Sequence, residues 1–206
     1  MNRRSMFTNG IGWHKMCSIG QINNKQAQSL CQEIVDELES WSSLPAALQS
    51  GGIEEKAAGI INRCLETAAG KELVVLPEYR KADFVFVSKN FGQPRLDVKT
   101  VIEVKFNYAR QISEIHRRVR SAKGQVNRYR EELSPTFTYL LYLIAAPFSN
   151  AIPRVNRDSG WRYWNSPLDD AVTALRQVAE AEICSIVADA SLAKGAGLHC
   201  SLLEFR

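Results

Sequence analysis

Apolar residues recur at helical spacing in two stretches of the N-terminal third of the chain. Residues 25–41 carry apolar side chains three and four positions apart, and residues 53–69 repeat this pattern. Such spacing aligns the apolar side chains along one face of a helix, which can then pack against a core. A double glycine at residues 51–52 separates the two patterns. We therefore predict a helical arm or cap over residues 1–50 and a second domain over residues 51–206 that begins with a helix of its own.

From residue 72 onward the pattern changes to short runs rich in β-branched and aromatic residues. Three such runs, bounded by proline or asparagine, predict consecutive strands, the second and third joined by a hairpin. They cover residues 73–76, 82–87 and 98–106. The elements predicted after them are a helix over residues 111–133, a strand over 137–146, a helix over 167–179 and a strand over 182–188. This order predicts an α/β fold in which helices flank a mixed central sheet.

Composition and charge narrow the class of protein. With 206 residues and 45% hydrophobic content, the chain can bury one substantial core. Its longest apolar run, residues 139–148, is about half the roughly 20 residues of a membrane-spanning helix, and the N-terminus lacks a secretory signal pattern. Five widely separated cysteines predict neither a disulfide framework nor a zinc site. We therefore expect a cytoplasmic protein without a membrane partner, and the net charge of +4 is weak evidence for a polyanionic one.

Two charged residues interrupt the apolar strand predicted over residues 98–106. Residues two apart on a strand point to the same side, so Glu103 and Lys105 share one face. Burying such a pair costs several kcal/mol unless the charges are paired and hydrogen-bonded. A second carboxylate, Asp83, stands at the head of the preceding strand, and neighbouring strands lie roughly 4.8 Å apart. Asp83 and Glu103 are therefore expected to meet at one edge of the sheet.

Two carboxylates at this separation can share a magnesium ion, which typically takes only one or two carboxylates from a protein. The ion can polarise a phosphoryl oxygen and acidify a bound water, while the lysine positions that water or offsets charge on the phosphate. This chemistry suits phosphodiester hydrolysis. The alternative for Glu103 and Lys105 is a salt bridge on a solvated sheet face, which carries no function.

Asp83, nineteen intervening residues and then Glu103-Val104-Lys105 resemble the signature of the PD-(D/E)XK nuclease superfamily. Ala82 stands where the family's name expects proline, a position that is commonly relaxed. The resemblance covers roughly residues 53–146 and implies a restriction-endonuclease-like fold. It also implies Mg²⁺ as the cofactor, with Mn²⁺ able to substitute, Asp83 and Glu103 as metal ligands, and Lys105 as the residue that assists the attacking water.

The same resemblance extends to the helices on either side of the three strands. In the family the first helix often carries an acidic residue that completes the metal site, which implies Glu54 or Glu55 here, with Glu54 nearer the apolar face. In the RecB-like branch the second helix carries a glutamine and a tyrosine four residues apart, matched by Gln125 and Tyr129. Such a pair lies on one helical face and is expected to touch a substrate strand or the surroundings of the metal. The alternative is a core-facing tyrosine beside a solvated glutamine.

The chain is strongly basic between residues 110 and 130, where seven arginines and lysines stand against one acid, Glu114. Such one-sided charge predicts a helix that faces phosphates, the alternative being a solvated helix face. The residues expected to bind nucleic acid are Gln125, Tyr129, Arg117, Arg118, Arg120, Lys123 and Arg128. A second D-x-K, formed by Asp97 and Lys99, offers an alternative register for the catalytic pair.

Together these features predict a metal-dependent DNA endonuclease that serves in restriction, defence against phage or DNA repair. One rival hypothesis is an exonuclease or structure-specific nuclease that uses the same residues. The others are a catalytically silent DNA-binding module and a subunit of a larger complex. DNA is the expected partner, and cleavage of both strands would favour a homodimer or a partner subunit.

Overall fold

The predicted helices and strands up to residue 192 are present in the computed structural model, with boundaries shifted by a few residues. The structure describes residues 20–40, 53–69, 71–89, 96–108, 112–147, 168–182, 184–192 and 196–205. Its helices are α1 (Asn24–Ser40), α2 (Ile53–Ala69), α3 (Ile112–Leu133) and α4 (Leu168–Ala181). Its strands are β1 (Leu73–Pro77), β2 (Phe84–Ser88), β3 (Val98–Tyr108), β4 (Phe137–Pro147), β5 (Cys184–Leu192) and β6 (Ala196–Phe205). The described part of the chain is therefore a mixed α/β structure.

The last strand, β6, is the element that the sequence pattern failed to predict. It lies between β4 and β5 in a six-stranded sheet of order β1-β2-β3-β4-β6-β5. Its apolar residues alternate with His199 and Ser201, both buried, because helices cover both faces of the sheet here. Buried polar residues on a central strand break the uniformly apolar pattern by which such strands are usually recognised.

The sheet is antiparallel except at its centre. β3 pairs with β4 in parallel, and α3 makes the crossover between them that a parallel connection requires. β1, β2 and β3 form an antiparallel series, and β4, β6 and β5 form another. The predicted hairpin of β2 and β3 is thus confirmed in its pairing.

Two helices cover each face of the sheet. On one face α1 and α2 pack on alternate strand residues such as Phe86 and Leu141. On the other face α3 and α4 pack on intervening residues such as Leu140 and Tyr142. Since α1 shares its core with α2 and the sheet, it packs on the main body of the protein, and the domain boundary predicted at residue 50 lies outside the described residues. Among the described helices, none combines the length and hydrophobicity needed to cross a lipid bilayer.

β3 extends beyond the start of β2, and this offset positions the candidate site. The pairing of β2 with β3 begins at Phe84 and Ile102, whereas β3 continues to Tyr108 with β4 on its other side. Beside residues 103–108 the sheet therefore has no β2 neighbour.

His199 on β6 is held in a buried polar chain. Its side chain is 2% exposed, and its ring nitrogens lie 2.7 Å from Ser191 Oγ and 2.6 Å from Ser201 Oγ. Burial lowers the pKa of His199 to about 4. The ring is therefore neutral in the folded protein at pH values where an exposed histidine would take up a proton.

We predict that acidification destabilises the fold through His199. In the unfolded chain the ring titrates near its usual pKa of about 6.5, so stability is complete above that pH and declines as the pH falls towards the folded pKa of about 4. The difference corresponds to about 3 kcal/mol of unfolding free energy. Urea denaturation at pH 7 and pH 4.5 measures this loss, and His199→Gln should lose correspondingly less. An equal loss in native protein, His199→Gln and the α3 control His116→Gln would contradict the assignment.

Candidate active site

Asp83 occupies the point where β2 stops flanking β3. The residue directly precedes β2, and its Oδ2 accepts a hydrogen bond of 2.7 Å from the backbone N–H of Val104. Val104 lies two residues past the last β3 position that pairs with β2, so the carboxylate satisfies an amide that has no strand partner there. The side chains of Asp83 and Glu103 also share a hydrogen bond, so the two carboxylates meet as predicted, although β3 lies inside the sheet and not at its edge.

Glu103 and Lys105 project from the same face of β3, and Lys105 Nζ forms an ion pair with Glu103 Oε1. The Glu103 side chain is only 1% exposed, and the Lys105 side chain is 19% exposed. A salt bridge on a solvated sheet face therefore does not describe this pair. Burying these charges is costly, so their retention inside an apolar strand calls for a reason beyond stability.

The carboxylates of Glu103 and Asp83 both have raised pKa values, mainly because both are withdrawn from solvent. Burial raises the pKa of Glu103, and the neighbouring charge of Asp83 raises it further, against the opposing effects of Lys105 and Tyr129. Burial likewise raises the pKa of Asp83, with a smaller contribution from Glu78, while the Val104 amide, Lys105 and a hydrogen bond with the Glu103 side chain oppose it. A divalent cation between them would relieve the repulsion and favour the charged forms. The donor set, two hard carboxylates and no sulfur, fits magnesium.

Tyr129 joins α3 to the carboxylates. The side chain is fully buried, and its hydroxyl lies 2.5 Å from the carbonyl oxygen of Lys81 and 3.3 Å from Glu103 Oε2. Burial raises the pKa of Tyr129 to about 12, so the hydroxyl keeps its proton. A fully buried tyrosine does not reach a polyanion at the surface, so of the two predicted contacts the geometry favours the one beside the carboxylates over the one with nucleic acid. Its helix partner Gln125 is half-buried.

The turn before Asp83 is strained. Glu78, Arg80 and Lys81 all have positive φ angles, of 53°, 50° and 71°, although none is glycine. Each such residue costs of order 1–3 kcal/mol and persists only where its surroundings hold it. Here the Tyr129 hydroxyl binds the Lys81 carbonyl, and the Glu78 N–H donates to the Asp83 carbonyl at 2.9 Å. The turn, the tyrosine and the carboxylates thus form one connected structure.

A pocket of about 480 Å³ opens at this site, between α2, the strained turn and the end of β3. Asp83 and Lys105 line it, and apolar side chains form much of its wall. It is also lined by three polar residues from other elements, namely Asn62, Glu78 and Arg118. Sequence reasoning missed Asn62 and Glu78. Helical spacing from Ala58 could have indicated Asn62. The position of Glu78 is set by a left-handed turn, which its residue types do not predict because none of them is glycine.

The third predicted metal ligand is Glu54 or Glu55 of α2. Glu54 and Glu55 lie in its first turn as predicted, but their side chains are outside the described residues. Within the described side chains, no group of three or more His, Cys, Asp or Glu residues could hold a metal ion. The described donors are therefore the two carboxylates of Asp83 and Glu103.

Asp97 and Lys99, the alternative catalytic pair, lie away from the pocket. Asp97 and Lys99 form an ion pair of 2.7 Å at the start of β3, with side chains 41% and 25% exposed. Neither is among the residues that line the pocket. Six residues of strand separate Lys99 from Lys105, a distance of about 20 Å.

The basic residues of α3 have different surroundings from one another. Arg117 pairs with Glu114 at 3.2 Å, and Arg128 lies 3.9 Å from Glu132. Arg120 and Lys123 both pair with Glu182, at 2.8 and 3.1 Å. Arg118 instead donates to the carbonyl oxygen of Phe106 at 2.7 Å. Contacts of these residues with nucleic acid stay predictions.

Comparison with known proteins yields no relative: no family model, curated protein or solved structure matches the chain. The assignment of function therefore depends on the geometry of the site and on the motif resemblance.

We predict that Asp83→Asn stabilises the metal-free protein. A raised pKa means that the charged carboxylate costs stability above its unfolded pKa, and asparagine removes that charge while its Oδ1 still accepts from Val104. The melting temperature in EDTA should rise by a few degrees, and the further rise caused by Mg²⁺ should disappear. Thermal unfolding with and without Mg²⁺ measures both. The control Asp97→Asn should leave both values nearly unchanged, and a lower melting temperature with an intact Mg²⁺ response in Asp83→Asn would refute the assignment.

Tyr129→Phe should weaken metal binding by shifting its pH dependence. The hydroxyl opposes the raised pKa of Glu103, so its loss keeps Glu103 protonated to higher pH. Loss of its hydrogen bonds should also cost about 1 kcal/mol of stability. The Mg²⁺-induced thermal shift, followed against pH, should move to higher pH in this variant. Tyr139→Phe also removes a buried hydroxyl, one that accepts from the Ile22 N–H at 3.1 Å, and should leave the pH dependence in place.

Proposed function

We propose that this chain is a magnesium-dependent DNA endonuclease with a restriction-endonuclease-like fold. The observation that carries the proposal is the pairing of half-buried Asp83 with buried Glu103 where β3 extends past β2, with Lys105 beside Glu103 on β3. Two neighbouring carboxylates whose pKa values are both raised, inside an otherwise apolar sheet, are a functional-site signature.

The order of elements supports the same proposal. A helix, α2, precedes three antiparallel strands, and α3 then crosses over to the parallel strand β4. Asp83 directly precedes the second of those strands, Glu103 and Lys105 lie on the third, and Tyr129 of the RecB-like pair contacts Glu103. These placements agree with what the resemblance to the PD-(D/E)XK superfamily implies.

In the proposed mechanism, Asp83 and Glu103 would hold the magnesium ion, and Glu54 or Glu55 from the first turn of α2 would complete its shell. The ion, when bound, polarises a phosphoryl oxygen and lowers the pKa of the attacking water. Lys105, now paired with Glu103, is freed to donate to that water and to offset negative charge on the phosphate. Tyr129 holds Glu103 in position by its hydroxyl.

The proposed partner is DNA, approached through its phosphates. The chain has a net charge of +4, and seven of its basic residues fall between residues 110 and 130. Phosphate contacts position a substrate without reading its sequence. A nuclease of this kind suits restriction, defence against phage or repair.

The first test is cleavage of supercoiled plasmid in Mg²⁺ and in EDTA. We expect Mg²⁺-dependent nicking or linearisation that Lys105→Ala and Asp83→Ala each reduce by ~10²-fold or more. Lys99→Ala and Asp97→Ala provide a matched lysine and aspartate at the other end of β3 and should leave cleavage close to that of the native protein.

Two results would overturn the proposal. One is native protein that leaves plasmid, linear DNA and single-stranded RNA intact in both Mg²⁺ and Mn²⁺. The other is cleavage that depends on Asp97 and Lys99 and survives loss of Lys105, which would move the site to the alternative register.

A further inference from the structure

Arg118 differs from the other basic residues of α3 in its surroundings. Arg117, Arg120, Lys123 and Arg128 each have a carboxylate within 4 Å, so each is at least partly neutralised by the protein itself. For Arg118 no carboxylate lies at ion-pair distance among the described residues. It is also the member of this basic set that lines the pocket beside Asp83 and Lys105.

The guanidinium of Arg118 is held in place from one side. Its Nη1 donates to the carbonyl oxygen of Phe106 at 2.7 Å, one residue beyond Lys105 on β3. Its Nε is buried and has no hydrogen-bond partner within the described part of the chain. A guanidinium has five N–H donors in a fixed plane that suits phosphate oxygens. An oriented cation without a carboxylate, at the wall of a pocket, is arranged to receive an anion.

The size and position of the pocket limit what form of DNA can enter it. Its volume of about 480 Å³ is that of a site for a small organic molecule, which is the scale of one nucleotide. Asp83 and Lys105 line the pocket, so a phosphate must enter the pocket from the surface to lie beside both of them. A stacked and paired nucleotide cannot do so without being unstacked, which costs a few kcal/mol and is easiest for an unpaired strand. Apolar walls from Ile61, Phe84 and Leu143 suit the sugar and the base.

We infer that the pocket takes one nucleotide of an unpaired DNA strand, and that Arg118 binds the phosphate next to the one that is cleaved. This inference depends on the proposed nuclease function and adds its substrate class and a substrate-binding residue. Arg117, Arg120, Lys123 and Arg128, each paired with a carboxylate, then contribute little to the affinity for this strand.

Binding is the first test, because it is independent of cleavage. The probes are a fluorescent oligothymidylate and a hairpin-capped duplex of equal nucleotide number, with Ca²⁺ in place of Mg²⁺. We expect the single strand to bind at least ten times more tightly. Arg118→Gln should weaken that binding about tenfold and reduce the slope of log Kd against log salt concentration by about 0.7, the effect of one lost phosphate contact.

Two matched variants separate substrate binding from structural effects. Arg63→Gln removes an arginine of α2 that pairs with Glu37 at 3.1 Å and also donates to a backbone carbonyl, and it should change neither affinity nor slope. Arg118→Lys keeps the charge and should keep the salt slope while it loses part of the affinity. A merely structural role for Arg118 would change the melting temperature in both Arg118 variants and leave the slope unaltered.

Cleavage supplies the second test. Supercoiled plasmid, which opens unpaired stretches, should be nicked faster than the same plasmid as a relaxed closed circle. If the native protein cuts DNA but treats relaxed circles, duplex and single strands alike, or if Arg118→Gln behaves as Arg63→Gln does, the inference is wrong and the nuclease proposal stands. If no DNA is cut, the nuclease proposal fails, while tight single-strand binding with an Arg118-dependent salt slope would still support the pocket assignment.

Discussion

The hydrogen bond between Asp83 and the Val104 amide is the interaction on which the candidate site depends. It forms where β2 has ended and β3 continues with β4 alone, so the carboxylate supplies the acceptor that a further strand residue would have supplied. A hydrogen bond to a charged group contributes about 1.5–3 kcal/mol, more than a neutral one. In satisfying one orphaned amide, the bond also brings a second carboxylate to Glu103 and leaves the open end of β3 as the floor of a pocket. Local backbone chemistry and the proposed catalytic geometry therefore have the same cause.

The residues of the site reduce the stability of the fold, which the rest of the protein provides. Glu103 and Asp83 both have raised pKa values, and the turn of residues 78–81 contains three left-handed residues that are not glycine. Tyr129 and Lys105 contact these groups and limit the cost, while the apolar cores on both faces of the sheet carry the stability of the fold. Backbone strain and costly charges that cluster in one place, with stabilising contacts beside them, are expected of a functional site. A sheet with only a structural role would be more stable with apolar residues in place of these charges.

Much of this arrangement is readable from the sequence, and what is not has physical reasons. Period-two alternation places Glu103 and Lys105 on one face, and helical spacing identifies α1 through α4, because both patterns are local. β6 escaped prediction because His199 and Ser201 satisfy each other and Ser191 inside the core, a fact visible only once two strands are paired. The ion pairs of α3 could not be predicted from local sequence either. Arg120 and Lys123 pair with Glu182, which lies about sixty residues further along the chain, so the sequence pattern shows the charge of this helix but not its partners.

The ion pairs of the α3 cations affect where a nucleic acid could bind. The outer cations of α3 are partly occupied, whereas the pocket holds Asp83 and Glu78 facing Lys105 and Arg118. Without a metal ion, a phosphate in the pocket would lie near these two carboxylates as well as the two cations, and the carboxylates would limit its affinity. A divalent ion held by Asp83 and Glu103 would offset the negative charge and would leave Lys105 and Arg118 to bind the phosphate. Metal and phosphate would then each increase the affinity for the other, as reciprocal linkage requires. In the proposed enzyme, burial and the nearby charge of Asp83, which raise the pKa of Glu103, would thus also make substrate binding depend on the metal.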